Sequence, residues 1–183
     1  MLHDDYRQML LGVARRSIEH GFRTRAALPV SLDDFPGPLR EIRGTFVTLR
    51  QHSMLRGCIG TTSANSPLVV SVAENAYAAA FRDPRFTPLK REEYKDTHVS
   101  ISILTLTEPI EFSSESDLLR QLRPGIDGLI IEKDGFRATF LPSVWSALPE
   151  PEEFLLHLKN KASIPANLPP ARAWCYQAES IDE

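Results

Sequence analysis

Apolar residues near the start of the chain recur every three or four positions, which is the spacing that gathers side chains on one face of a helix. This spacing predicts a helix over residues 4–20, followed by Gly21 at a position typical of a helix C-cap. The apolar positions of this predicted helix are Tyr6, Met9, Leu10, Val13, Ala14 and Ile18.

A second stretch, residues 67–82, is rich in alanine and is apolar on almost every side of the helix that it predicts. Ser66 belongs to the residue types that cap helices, and Pro67 suits the first helical position. Because a helix that is apolar on most sides is usually buried, we expect this one in the core. Asp83-Pro84 should end it.

Alternating apolar and polar residues predict strands in the remaining segments. Residues 44–62 should form two strands around a short turn at 51–53, and residues 98–106 a third strand that precedes a bend at Pro109. Residues 128–142 should form a hairpin around an Asp-Gly turn, and residues 172–179 a final strand. The two faces of the first strand should hold Phe46, Thr48 and Arg50, and Thr45, Val47 and Leu49, respectively.

Two shorter helices complete the pattern. Ser114 and Asp117 fit a capping box for a helix over 115–122, and Pro151 opens a helix that reaches about Lys161. The order is therefore helix, hairpin, helix, strand, helix, hairpin, helix, strand. Because hairpins dominate, this order predicts an α+β protein with a mostly antiparallel sheet flanked by helices.

Composition narrows the function classes. The chain has 183 residues, a net charge of −3 and two cysteines, and its isoelectric point is about 6.0. The net charge argues against nucleic acid or an anionic membrane as a partner. No apolar run approaches the ~18 residues of a membrane span, and the first residues do not resemble a signal peptide. We therefore expect a cytoplasmic protein with free thiols, a Cys58–Cys175 disulfide being the less favoured alternative.

The stretch MLRGCIGTT, residues 54–62, places one of the two cysteines between glycines. Strand alternation predicts Arg56, Cys58 and Gly60 on one face, and a core-facing set on the other, namely Leu55, Gly57 and Ile59. A guanidinium beside a thiol favours the reactive thiolate, and glycine allows close approach of a substrate or of another backbone. The alternative is a cysteine that only packs, because free cysteines are often buried.

A second candidate follows the predicted buried helix, in the sequence Asp-Pro-Arg-Phe of residues 83–86. Arg85 is suited to bind an anionic group, or it pairs locally with Asp83 in a turn. The five histidines show no metal-ligand spacing, and no Cys-x-x-Cys motif occurs. Lys159 and Lys161 are explained by the helix C-terminus.

Several of these stretches together resemble the AMMECR family, whose bacterial and archaeal members are called AmmeMemoRadiSam system protein A. The combination of LRGCIG with DPRF some twenty residues later is specific, and the resemblance runs from about residue 4 to the end. The matching stretches are GTFVTL (44–49), LRGCIG (55–60), DPRF (83–86), VSISIL (99–104), the hairpin over 128–145 and EEFLLHLKNKASIP (152–165).

The resemblance implies a single domain over residues 4–181, with a larger and a smaller lobe and with LRGCIG near the groove between them. It also implies two partners, a Memo-like protein related to extradiol dioxygenases and a radical SAM protein. Family members carry no established reaction, so neither a cofactor nor an oligomeric state follows. Relatives often have Lys-Ala-Gly where this chain has Lys161-Ala162-Ser163.

Two functional hypotheses follow from the residues and the resemblance. In the first, the protein is an enzyme or an enzyme subunit in which Cys58 acts as a nucleophile or substrate ligand and Arg56 stabilises its thiolate. In the second, it is a non-catalytic adaptor for the same partners, and Cys58 is structural. The residues that the first hypothesis assigns to substrate binding are Gly57, Gly60, Asp83, Arg85 and Lys161.

Overall fold

The computed structural model describes residues 2–183 and divides the chain into two compact units. The first unit runs up to Leu104 and includes the last residues, Glu179–Glu183; the second comprises Thr105–Ala178. Helices and sheets occur in both, so the predicted α+β class is confirmed. The strands form two four-stranded sheets where the sequence predicted one.

The sheet of the first unit has the strand order β2-β1-β3-β8. β1 pairs antiparallel with both β2 and β3, so β2 is an edge strand. The elements of this unit in chain order are α1 (Asp4–Thr24), β1 (Thr45–Gln51), β2 (Met54–Thr61), α2 (Leu68–Phe81), α3 (Arg91–Tyr94), β3 (Thr97–Leu104) and β8 (Ala178–Asp182).

The first hairpin follows the prediction closely. A two-residue turn joins β1 to β2, and both of its residues, His52 and Ser53, have positive φ, at 48° and 67°. Such a turn matches the twist of the strands that it connects. Side chains on the Val47 face of β1 are buried against the helices, whereas Arg50 on the other face is exposed. The predicted division of β1 into a core face and an outer face is confirmed.

Helices α1 and α2 pack together over the core face of this sheet. The predicted C-cap at Gly21 is wrong, because α1 continues to Thr24 and is capped by Arg25 in a left-handed conformation. Gly21 is buried instead, and a Cβ there would lie 2.5 Å from the ring of Phe81. The glycine therefore permits close approach of the two helices, a tertiary reason that local sequence does not reveal.

The start of α2 also differs from the prediction. Pro67 is the N-cap residue and not the first helical one, and Ser66 does not cap the helix. Pro67 forms an isolated bridge with Ile42, and the Leu68 N–H donates to the Glu41 carbonyl at 2.7 Å. This contact with the preceding loop takes the place of a side-chain cap. The prediction that α2 is buried on most sides is confirmed.

The sheet of the second unit has the order β4-β7-β5-β6, and its core packs against α4 and α5. Two local predictions are confirmed: Ser114 caps α4 by accepting from the Asp117 N–H, and Asp134-Gly135 forms the turn of the β5–β6 hairpin. The elements of this unit are β4 (Glu108–Ile110), α4 (Glu115–Gln121), β5 (Gly128–Lys133), β6 (Phe136–Phe140), α5 (Pro151–Lys161) and β7 (Arg172–Tyr176).

The C-terminal segment departs most from the prediction. One final strand was expected over 172–179, but the chain forms β7 in the second sheet and then β8 in the first. Pro109 lies within the short edge strand β4 and is not a bend, which suits a residue that lacks an N–H donor. Short 3-10 helices, Leu32–Asp34, Gly37–Arg40 and Pro142–Ser146, lie outside the predicted elements.

Candidate functional site

Strand β2 contains a bulge within the LRGCIG segment. Leu49 of β1 pairs with Gly57, but Arg50 pairs with Leu55, so Arg56 has no residue opposite it. Because directly opposite residues share a face of the sheet, Leu55 lies on the outer face with Arg50. The prediction that Leu55 faces the core is therefore wrong, and its side chain is 39% exposed.

The bulge also changes the surroundings of Arg56. Its guanidinium donates two hydrogen bonds to the Glu93 carboxylate of α3, Nε to Oε1 at 3.2 Å and Nη2 to Oε2 at 3.1 Å. The Arg56 side chain is only 11% exposed. This bond is the main reason why the pKa of Glu93 lies below its usual value. Arg56 thus anchors α3 to β2, whereas the sequence had paired it with Cys58.

Cys58 is half-buried on the outer face of the sheet and is a free thiol. It lies opposite Thr48, whose hydroxyl donates to the sulfur at 3.3 Å. Its backbone is bound as well: the N–H donates to Asp83 Oδ2 at 2.9 Å, and the carbonyl accepts from Arg85 Nη2 at 3.0 Å. The site is therefore assembled from β1, β2 and the turn after α2.

Asp83 and Arg85 form the local pair that the sequence left as an alternative. Arg85 donates from Nε to Oδ1 at 2.9 Å and from Nη2 to Oδ2 at 2.7 Å. The Asp83 side chain is 1% exposed and that of Arg85 is 54% exposed. Hydrogen bonding to Arg85 lowers the pKa of Asp83 to about 2. The same bond raises the pKa of Arg85, and the nearby Cys58 side chain acts in the same direction.

The Asp83–Arg85 pair covers part of the free edge of β2. An edge strand presents unpaired N–H and C=O groups that another chain can bind. At Cys58 both outward groups are already taken, one by the Asp83 carboxylate and one by the Arg85 guanidinium. The DPRF turn therefore acts at this residue as a neighbouring strand would, and it fixes the position of the cysteine backbone.

The two glycines beside Cys58 have packing reasons for lacking a side chain. A Cβ on Gly57 would lie 2.1 Å from the Ala79 carbonyl oxygen of α2. A Cβ on Gly60 would lie 2.2 Å from the Thr45 carbonyl oxygen and 2.4 Å from the Phe46 ring. The sequence left open whether these glycines admit a substrate or another part of the backbone. In the structure, both allow close approach of the backbone of the first unit.

Lys161 belongs to the second unit, at the C-terminal end of α5. Its ammonium donates to the Thr139 carbonyl of the edge strand β6 at 2.9 Å. Lys159 lies in the last turn of α5, as the sequence predicted, and it is buried, with an exposure of 1%. Its ammonium binds Glu115 at 2.7 Å and the Ala166 carbonyl at 2.6 Å.

Sequence reasoning missed two polar groups of the site, the Thr48 hydroxyl and the Glu93 carboxylate. The signal for Thr48 was its place on the outer face of β1, which a correct hairpin register puts opposite Cys58. Ser100 lies on the other side of Thr48, so three small polar side chains form one row across the sheet. Nothing local marks Glu93, because its partner Arg56 is 37 residues away.

The part of the chain that the structure describes contains no group of three or more His, Cys, Asp or Glu side chains arranged to hold a metal ion. Within the same residues, 2–183, no helix has the length and apolar character needed to cross a membrane.

Comparison with known proteins gives consistent matches over nearly the whole chain. The model of the AMMECR1 family matches residues 11–181. A protein of Methanothermobacter thermautotrophicus is 39% identical over 190 residues, which cover 100% of this chain and 96% of the relative. A protein of Thermococcus gammatolerans is 35% identical over 193 residues, covering 100% and 92%.

A solved structure agrees with these matches. The crystal structure of the uncharacterised protein PH0010 from Pyrococcus horikoshii superposes with a TM-score of 0.89 at 33% identity, covering 98% of this chain and 92% of that one. The fold is thus shared with an uncharacterised archaeal protein. The resemblance inferred from LRGCIG and DPRF is confirmed, and the chain belongs to the AMMECR1 family.

Proposed function

We propose that the protein is an enzyme or an enzyme subunit that uses the Cys58 thiol as a nucleophile or as a direct substrate ligand. The observation that carries the proposal is the clamp on Cys58: Asp83 and Arg85 hold its N–H and carbonyl while its side chain stays partly accessible. A cysteine that merely packs does not need a fixed backbone beside a charged guanidinium.

The chemistry follows from the groups around the sulfur. The Arg85 guanidinium binds the Cys58 carbonyl and therefore lies beside the position where a substrate would meet the thiol. The Arg85 side chain also reaches solvent, so it is available to an anionic group of a substrate. Thr48 donates a hydrogen bond to the sulfur and orients it. In this proposal Asp83 is a positioning residue, because it contacts the Cys58 backbone and Arg85.

We further propose that the protein works in the cytoplasm, as a single AMMECR-type domain over residues 4–181, with a Memo-like protein and a radical SAM protein. These partners follow from the family resemblance. An adaptor without catalytic activity is the second candidate, and exposed apolar residues in the motif favour it. Met54 is 71% exposed and Leu55 is 39% exposed, at the tip of the β1–β2 hairpin.

Alkylation tests the reactivity of the thiol. The carbon–sulfur bond forms as the Cys58 thiolate displaces iodide from iodoacetamide, and Cys175→Ser in the background leaves one thiol to follow. Arg85→Gln and Thr48→Val should each slow labelling at pH 7 at least about threefold, since Arg85 fixes the Cys58 backbone and Thr48 orients the sulfur through a hydrogen bond. Arg82→Gln, which removes a charge three residues away, should label at the starting rate. Equal rates in all variants would refute the proposal.

Binding experiments separate the enzyme from the adaptor. Purified Memo-like and radical SAM proteins are passed over immobilised protein carrying Cys58→Ser or Met54→Ser. The enzyme proposal predicts that Cys58→Ser keeps its partners and loses the biological output that depends on the protein. Retention of that output in Cys58→Ser, together with loss of partner binding in Met54→Ser, would support the adaptor instead.

A further inference from the structure

A cavity of about 480 Å³ lies in the first unit, where the last turns of α1 meet α3. Small-molecule sites in proteins usually have volumes of roughly 300–1,000 Å³. The cavity involves neither Cys58 nor Asp83 and Arg85, so it is independent of the proposed function. Its lining residues are Glu19, Phe22, Arg23, Arg91, Tyr94 and Lys95.

The charge around this cavity is unbalanced. Arg23, Arg91 and Lys95 line it, and within residues 2–183 none of the three forms an ion pair with a carboxylate. One acidic residue, Glu19, lines the cavity within residues 2–183, and its Oε1 accepts a hydrogen bond from the Tyr94 hydroxyl at 3.2 Å. In a chain with a net charge of −3, three unpaired cations at one cavity form a local site for an anion.

The walls of the cavity are aromatic. The rings of Phe22 and Tyr94 meet edge to face, with centroids 5.7 Å apart. The Arg91 guanidinium lies 5.1 Å from the centre of the Phe22 ring. The Tyr94 hydroxyl already has two hydrogen-bond acceptors within the protein, Glu19 and the Arg15 carbonyl, so it is not assigned to a ligand. Because the Arg15 guanidinium also lies 4.9 Å from the centre of the Tyr94 ring, the two rings offer a ligand their remaining faces and edges, while the cations supply the charge.

The wall formed by α3 is held firmly even though this helix has only one turn. The Glu93 carboxylate accepts from the Lys90 N–H at 2.8 Å, and it also binds Arg56 of β2. The Glu93 carbonyl accepts hydrogen bonds from Gln51 at 2.9 Å and from Thr97 at 2.8 Å. Arg91 and Tyr94 are thus presented by an anchored segment, as a preformed binding site requires.

We propose that this cavity binds a small anionic ligand that carries a flat ring, such as an aromatic phosphate ester or an aromatic carboxylate. The ring packs against Phe22 and Tyr94, and the anionic group lies among Arg23, Arg91 and Lys95. Both parts of the ligand are needed, because the cations are exposed and the aromatic surface alone is small.

Calorimetry with four probes tests this assignment: phenyl phosphate, benzoate, inorganic phosphate and phenol. Phenyl phosphate or benzoate should bind at least about fivefold more tightly than inorganic phosphate or phenol, since each of the latter makes only half of the contacts. The stronger of the first two identifies the anionic group. Binding should weaken as salt is raised from 50 to 500 mM, values chosen to shorten the screening length about threefold.

Two substitutions in α1 provide a matched pair of variants. Arg23→Gln and Arg16→Gln each remove one positive charge from an exposed position of the same helix, but only Arg23 lines the cavity. Arg23→Gln should weaken binding of the better probe about fivefold, and Arg16→Gln less than about twofold. Lys95→Gln serves as a second variant at the cavity, and thermal unfolding confirms that each protein folds.

Three outcomes would overturn the proposal. The first is no saturable binding of phenyl phosphate or benzoate. The second is inorganic phosphate binding as tightly as either of them, which would mean that the rings contribute nothing. The third is an equal loss of affinity in Arg23→Gln and Arg16→Gln, which would mean that only overall charge matters. Reactivity of Cys58 has no bearing on any of these results.

Discussion

Asp83 combines two tasks in one buried carboxylate. It accepts the Cys58 N–H and it binds both the backbone and the guanidinium of Arg85. The ionic partner and the hydrogen bonds around this buried carboxylate stabilise its charged form. The position of the Cys58 backbone is therefore linked to the ionisation of Asp83.

This link gives a prediction for acid stability. The pKa of Asp83 falls from 3.8 to about 2 on folding. A lowered pKa stabilises the folded state above the unfolded value, so its contribution is present above about pH 4 and is lost as the pH falls toward 2. Asp83→Asn should reduce the free energy of unfolding at pH 7 by about 2 kcal/mol and should flatten its decline between pH 4 and 2.

Urea unfolding measured at several pH values checks this prediction. Asp96→Asn is the control, because Asp96 is an exposed carboxylate in the same unit. An Asp83→Asn protein with the same pH profile as the Asp96→Asn protein would contradict the role assigned to the buried carboxylate.

Gly57 gives a steric prediction. A Cβ at this position would lie 2.1 Å from the Ala79 carbonyl oxygen, so Gly57→Ala must push β2 away from α2. We expect the free energy of unfolding to fall by about 1–3 kcal/mol, the usual cost of overpacking a core. Gly37→Ala is the matched control, since nothing lies within 4 Å of its Cβ position. Equal unfolding midpoints in urea for the two variants would argue against a close β2–α2 contact.

Ser163 has a backbone conformation that suits the glycine that the family resemblance implies at this position. It follows the end of α5 and has a φ of 58°, in the left-handed region that glycine adopts without strain. The glycine of the Lys-Ala-Gly pattern suits this conformation. Ser163→Gly should therefore raise the free energy of unfolding by about 0.5–1 kcal/mol, whereas Ser143→Gly, at a position without positive φ, should not. Thermal unfolding measures both, and a lower melting temperature for Ser163→Gly would refute the explanation.

At the scale of elements, the bulge in β2 determines what Arg56 does. Without the bulge, alternation would put Arg56 on the Cys58 face. With it, Arg56 reaches α3 and binds Glu93 through two hydrogen bonds. The shape of this corner therefore depends on an ion pair that joins a strand to a one-turn helix. A helix this short is not stable by itself and needs such contacts.

Loss of this ion pair should loosen α3 selectively. Arg56→Gln should cost about 1–3 kcal/mol in the free energy of unfolding, because a largely buried charged hydrogen bond is removed. Hydrogen exchange at the amides of residues 91–97 should speed up more than exchange in α1. Arg50→Gln, which removes an exposed charge from β1, should change neither quantity. Unchanged exchange at 91–97 in Arg56→Gln would show that other contacts hold α3.

The accuracy of the sequence predictions followed the range of the interactions concerned. The first hairpin was predicted because alternating strand residues flank the short segment 51–53, and the second because Asp134-Gly135 is a local turn signal. The bulge was missed because alternation assumes a regular strand. In the candidate site, Asp83 and Arg85 were found as a local pair, but their hold on Cys58, some 25 residues away, depends on tertiary structure. The same holds for the Arg56–Glu93 pair.

At the scale of the molecule, the chain builds the second unit as an insertion between β3 and β8 of the first. Residues 105–178 form a sheet and core of their own, and the last residues then complete the first sheet. Contacts with α1 secure this return: Arg7 binds Glu179 at 2.8 Å, and Arg15 binds Glu183. Sequence pattern could not predict it, because a single run of strand residues is divided between two sheets.

This topology predicts where destabilisation appears along the chain. Ile181 of β8 is 4% exposed and lies in the core of the first unit, whereas Leu129 of β5 lies in the core of the second. Replacing either with alanine removes buried methyl groups and should cost about 2–5 kcal/mol locally. Hydrogen exchange should therefore accelerate in β1 and β3 for Ile181→Ala, and in β5 and β7 for Leu129→Ala. Ile126→Ala, at a half-exposed position, should accelerate neither set. Faster exchange in β5 and β7 but not in β1 and β3 for Ile181→Ala would contradict the assignment of β8 to the first sheet, since a core residue protects first the strands with which it packs.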